Sequence, residues 1–205
     1  MCPGQVLGVR MGLLGLALLG YSAPLNERDI KKVIVFVEID RCMADALATA
    51  TGVKLGRRSL KFKDFGLMAA TFLNLPDGRA YRLIGREDCR KRAAELAPFI
   101  IDRYQREVEV YQVLPASELF QVEAVTVEIK PEDLPGWQGE KIVCDVCGLT
   151  IRHGRVIQRD GRRLCLVCGG QGYFQRLHPV DGLDNLDGLV KSPSSGRGRL
   201  SPGLG

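Results

Sequence analysis

Histidine and net charge are both scarce in this chain. Two histidines, His153 and His178, occur in 205 residues. No nucleophile–base arrangement and no glycine-rich cofactor loop accompanies them, so the motifs support no enzyme assignment. The tripeptide Asp64-Phe65-Gly66 spells a kinase signature, but neither a catalytic loop nor a phosphate loop goes with it. A formal net charge of +5 is too small to argue for nucleic-acid binding from charge alone. The apolar run over residues 11–20 is too short to cross a bilayer. No internal repeat is present, which excludes solenoid architectures.

Cysteine, by contrast, is informative. Four of the seven cysteines fall in two pairs, Cys144-Asp145-Val146-Cys147 and Cys165-Leu166-Val167-Cys168. A two-residue gap lets both thiolates of a pair reach one tetrahedral ion from a tight knuckle. Gly148 and Gly169 follow the pairs directly, as suits a knuckle whose next residue takes φ > 0. The spacer reads as a hairpin, with residues 155–159 and 162–164 flanking Asp160-Gly161, a two-residue turn that favours type I′ geometry. Knuckle, hairpin and knuckle describe a zinc ribbon. Paired disulfides and an iron–sulfur site compete with zinc for the same thiols. Zinc held by four thiolates is structural, because no position is left for water. An odd cysteine count with four claimed by a metal fits a reducing cytoplasm better than a secreted scaffold. Arg10, the apolar run after it and Tyr21-Ser22-Ala23 imitate a signal peptide. The alternative is a buried first helix, and it is the one expected here.

Along the chain, the pattern predicts a glycine-rich helix over Pro3–Leu19 and a buried strand over 33–39. A helix over Cys42–Thr51 follows, capped by Asp40 and stopped by Gly52. Strands are expected over 59–63, 68–74 and 80–84, the last two forming a hairpin around Pro76-Asp77-Gly78. A long charged helix spans 87–112, with Pro98 set to kink or interrupt it. A last strand runs over 120–129. The fold class is therefore α+β, a mixed sheet with packed helices plus a small C-terminal zinc ribbon. The expected division is a domain over 1–130, a linker over 131–140, the ribbon over 141–177 and a disordered tail over 178–205.

A second constellation opens the chain. Cys2-Pro3-Gly4, Asp40-Arg41-Cys42-Met43-Ala44-Asp45-Ala46, Lys61 to Gly66, and Ala69-Ala70-Thr71-Phe72 occur in that order. Together they resemble the formylmethanofuran dehydrogenase E-subunit family over about residues 2–175. That family typically reads His-Gly-His-x-Cys-Pro-Gly, then a glycine-rich helix, a buried strand and a Cys-x-x-Asp-Ala segment. The resemblance implies an α+β domain whose metal site combines Cys2, Cys42 and Asp45, two thiolates and a carboxylate that would leave a coordination position open. It further implies an accessory or small-ligand-binding role linked to molybdenum or tungsten oxidoreductases. A homo-oligomer is the expected assembly, without membrane or nucleic-acid contact. The competing reading is a zinc-ribbon regulator that binds nucleic acid or RNA polymerase.

Two departures from the family pattern stand out. Met1 sits just before Cys2, where the motif would continue upstream into its two histidines. A translation start upstream, encoding His-Gly-His, is the expectation. Leu67 also stands where many members carry Lys, which weakens any role for the pocket in holding an anion. Cys89 is expected to be no ligand. Arg152, Arg155, Arg159, Arg162 and Arg163 make the ribbon hairpin basic, and a solvated face is the expected reason. Trp137, Tyr173 and Phe174 are expected to pack on the small ribbon core.

Overall fold

The computed structural model describes residues 1–177; the expected disordered tail, with His178, lies outside the described residues. Chain contacts divide it into two units, Met1–Lys141 with Arg152–Gly154, and the remainder from Ile142 onward.

Unit 1 is built on a five-stranded sheet in the order β2-β1-β3-β4-β5. The strands are β1 (Val33–Val37), β2 (Leu60–Phe62), β3 (Ala69–Asn74), β4 (Ala80–Gly85) and β5 (Phe120–Val125). β1 and β2 run parallel and every other pair is antiparallel, so the sheet is mixed. The parallel pair needs a crossover, and α2 (Cys42–Thr51) lies between its strands in the chain. Val33, Val35 and Val37 of β1 join Ala70, Phe72 and Leu83 in the main core, as alternate residues of paired strands must.

α1 (Pro3–Leu19) packs on α2 and on the sheet. Three glycines at helical spacing allow the approach. A Cβ on Gly8 would stand 2.3 Å from the backbone oxygen of Met43, one on Gly12 2.9 Å from Thr51 Cγ2, and one on Gly15 2.5 Å from the Phe72 ring. The apolar run that imitates a signal peptide is thus a core helix, with Met11 and Leu16 fully buried and Leu13 on the outer face. No described helix is long and apolar enough to cross a membrane.

Several expected boundaries change. Arg41, not Asp40, occupies the N-cap of α2, without a side-chain cap bond; Gly52 does end the helix at φ 79°. The long charged helix is two, α3 (Cys89–Leu96) and α4 (Arg103–Val113). Pro98 cannot continue α3, and Asp102 restarts the chain by accepting from the Gln105 amide at 2.7 Å. A short helix, α5 (Ala116–Leu119), then leads into β5, which stops at Val125 rather than running to 129. Downstream, Pro131–Asp133 forms a 3₁₀ turn, and Asp133 accepts from Lys61 at 3.2 Å.

On the sheet face opposite α1, Arg82 pairs with Glu38 and, at 3.5 Å, with Glu123. Glu38, just past β1, is 4 % exposed, and Arg82 of β4 donates to both its oxygens at 2.8 and 2.7 Å. A bidentate pair of this kind is strong, while either half left alone in the interior is costly. Arg82→Met should therefore lower unit 1 stability by about 3 kcal/mol, read from urea unfolding. Adding Glu38→Gln should recover most of the loss. A double variant no better than Arg82→Met would mean that packing, not the stranded charge, sets the cost.

Unit 2 consists of two hairpins. β6 (Ile142–Val143) pairs with β7 (Thr150–Ile151), and β8 (Val156–Arg159) with β9 (Arg162–Cys165). Asp160 and Gly161, at φ 52° and 70°, make the expected turn with both central residues left-handed. The core of unit 2 is small: Cys144, Ile151 and Leu164 are its buried members.

Candidate metal centre

The first knuckle follows β6. Cys144 donates its amide to the Leu149 carbonyl at 3.0 Å, and Gly148 closes the turn at φ 72°. The second follows β9, and here the sequence expectation needs correcting. Gly170, not Gly169, takes the positive φ, at 89°. Gly169 is needed for space instead, since a Cβ there would stand 2.5 Å from Ile157 Cδ1.

The two knuckles bring the sulfurs of Cys144, Cys147, Cys165 and Cys168 within 4.8 Å of one another. Cys147 Sγ and Cys165 Sγ are 3.9 Å apart. A tetrahedral ion with metal–sulfur bonds near 2.3 Å spaces its ligands about 3.8 Å apart, so the four thiols fit one ion. Backbone amides turn toward sulfur, Cys165 N–H to Cys144 Sγ at 3.3 Å and Cys168 N–H to Cys165 Sγ at 3.4 Å. Such donors favour the thiolate. The amides of Cys147, Cys165 and Val146 bring the Cys144 thiol down to about 6, and the Leu149 amide lowers that of Cys147. Burial and the neighbouring sulfurs push Cys168 up to about 12, as expected when like charges crowd without a cation among them. A divalent ion would relieve that crowding. The guanidinium of Arg176 lies against the same sulfurs, and its own basicity rises through contact with Cys147.

The basic stripe is partly committed within the unit. Arg159 donates to the Gly169 carbonyl at 3.2 Å, and Arg163 meets Asp145 through its backbone amide at 2.6 Å and its guanidinium at 3.4 Å. Tyr173 is 97 % exposed and makes an edge contact with Phe174, so neither ring belongs to the ribbon core as expected. Trp137 packs instead on His153, with centroids 6.1 Å apart, in unit 1.

Cys2 and Cys42 meet at the N-terminal ends of α1 and α2. Cys2 is the N-cap of α1, with its amide donating to Gln5 Oε1 at 2.8 Å, and Cys42 opens α2. Gly4 lies between them, where a Cβ would be 3.8 Å from both Cys2 Sγ and Cys42 Cβ. The Cys42 thiol is raised, first by its hydrogen bond with Cys2, and the exposed Asp45 one turn on adds to the rise. Among the described residues, the four-cysteine cluster is the group in which three or more such ligands lie within 4.8 Å of one another. Cys2 and Cys42 are a pair to which Asp45 is not joined at that spacing. Cys89 is buried, its sulfur 3.2 Å from the Tyr111 hydroxyl. Glu107 is buried nearby, a position that a charged helical stretch gives no reason to single out.

These elements add up to an α+β protein with a mixed sheet, a close-packed glycine-rich first helix and a four-cysteine group able to hold a metal ion. Comparison with known proteins makes this more particular. The family model described as "FmdE, Molybdenum formylmethanofuran dehydrogenase operon" matches residues 1–121, and the chain belongs to that family. A probable S-adenosyl-L-methionine-binding protein of Archaeoglobus fulgidus is 30 % identical over 191 residues, covering 84 % of this chain and 50 % of that protein. The chain therefore spans about half the length of this curated relative. A crystal structure of an FmdE-like protein of tungsten formylmethanofuran dehydrogenase type, from Syntrophus aciditrophicus, superposes with a TM-score of 0.56 and 18 % identity, over 84 % of this chain and 86 % of that one. At that identity the likeness is one of fold.

Proposed function

We propose that the protein is a zinc-binding accessory or small-ligand-handling member of the FmdE family, acting beside a molybdenum or tungsten oxidoreductase. The observation that carries the metal reading is the set of four sulfurs at single-ion spacing. Zinc suits them because it accepts four thiolates in a tetrahedron without redox chemistry. An iron–sulfur cluster would interpose several metal atoms and bridging sulfides between the same ligands. Bound there, zinc is structural, its coordination filled by the chain. Membership of the FmdE family supports the link to molybdenum enzymes, and the name of the Archaeoglobus relative supports the small-ligand part.

Cys2 and Cys42 supply a second, incomplete set of ligands, which Asp45 would have to approach to complete with a third. Elemental analysis of the purified chain tests both sites. One zinc per chain, lost on Cys165→Ser, is the result expected if only the ribbon loads. Two per chain, one of them lost on Cys42→Ser, would assign the second to the helix N-termini. Iron with acid-labile sulfide in place of zinc would overturn the reading.

A further inference from the structure

Between the first turn of α1, the end of β4 and helices α3 and α4 lies a cavity of about 80 Å³, several times the roughly 10–15 Å³ that one water requires. Pro3 and Gly4 form one wall, and Cys89, Glu107 and Tyr111 form the floor. Glu107 is unusual. Its side chain is 7 % exposed, and its ion-pair partner, Arg103, is 3.7 Å away and itself 68 % exposed. That separation exceeds a hydrogen bond, so no close cation accompanies the largely buried carboxylate. A buried charge in this condition calls for a partner.

The rest of the floor does not supply one. The thiol of Cys89 and the hydroxyl of Tyr111 are both raised by burial, with the negative charge of Glu107 adding to the rise, so both stay neutral at ordinary pH. At the mouth stand Arg86, Glu87 and Arg90. Arg86 is held by Asp88 at 3.1 and 3.0 Å. Arg90 is exposed and makes no hydrogen bond or ion pair with any described residue. The cavity thus has a buried anion at its base, neutral polar groups beside it and an uncommitted guanidinium at its opening.

We propose that this cavity binds a compact zwitterion, a small α-amino acid or a ligand with the same end group, its ammonium on Glu107 and its carboxylate on Arg90. The volume admits few heavy atoms, so a larger ligand would place only its amino-acid end here. Cys89 and Tyr111 offer further polar contacts to the ammonium and stay uncharged, which leaves Glu107 as the sole anion of the floor. The site rests on unit 1 alone and stands whether or not the ribbon carries zinc.

Calorimetric titration of the whole, metal-loaded chain tests it with glycine and L-alanine, against methylammonium and acetate as the separate halves. Saturable binding of both amino acids is expected, with each half weaker by about tenfold or more, as the loss of one charged contact implies. Glu107→Gln and Arg90→Ala should each weaken glycine binding by about tenfold or more. Arg90 is exposed, so its variant keeps the fold and serves as the check if Glu107→Gln does not. The absence of saturable binding by the wild type would overturn the proposal. So would acetate binding as tightly as glycine, or an Arg90→Ala variant with unchanged affinity.

Discussion

Replacement of Cys144 or Cys165 by serine, or removal of the metal with a chelator, should unfold unit 2 and leave unit 1 intact. The buried core of unit 2 holds three residues, one of them Cys144 itself. A module this small buries too little apolar surface to offset its chain entropy without a staple. In zinc-finger peptides the ion contributes on the order of 10–16 kcal/mol at neutral pH, far more than this core could replace. The expected result is a two-dimensional amide spectrum in which residues of the two hairpins collapse to random-coil positions while those of the five-stranded sheet stay in place. Dispersed hairpin resonances after complete chelation would show that the metal is not what holds unit 2.

The second large effect is expected from the glycines of α1. Gly8→Ala drives a methyl to 2.3 Å from the Met43 carbonyl oxygen, and Gly15→Ala drives one to 2.5 Å from three atoms of the Phe72 ring. Neither neighbour can yield cheaply. The first is backbone, and Phe72 is fully buried. In an exposed helix the same change would be favourable by roughly 0.5–1 kcal/mol, but here overpacking should outweigh it. A net loss of about 2–3 kcal/mol is expected for each variant. At Gly12 the obstacle is the Thr51 side chain at 2.9 Å, so its variant should lose less. Leu13→Ala, on the outer face of the same helix, serves as the control and should stay within about 0.5 kcal/mol. Denaturant midpoints that leave Gly8→Ala as stable as the parent would mean that α1 and α2 do not pack this closely.

Much of this was legible along the chain because it depends on neighbours in sequence. The glycine-rich first helix ends at Leu19 as its pattern predicts, and the β3–β4 hairpin forms around Pro76-Asp77-Gly78. The Asp160-Gly161 turn takes the left-handed conformations its residues favour. The spacing of Cys144, Cys147, Cys165 and Cys168 foretold their convergence, since a two-residue gap and a hairpin leave little freedom in where the sulfurs go. Choices among adjacent residues were less legible. Of the two adjacent glycines, Gly170 turns left-handed, whereas Gly169 is needed for room, because Ile157 across the hairpin occupies the space a side chain there would need.

Most elements, the knuckles and the motifs that resemble the family to which the chain belongs follow from residue order without reference to the fold, because each is set by short-range geometry or by residue identity. Which groups meet across long separations is settled instead by how strands register and helices dock. Docking and register set Glu38 against Arg82, brought Cys2 to Cys42, and buried Glu107 beside Cys89 and Tyr111. Charge and periodicity along a single helix carry no record of either.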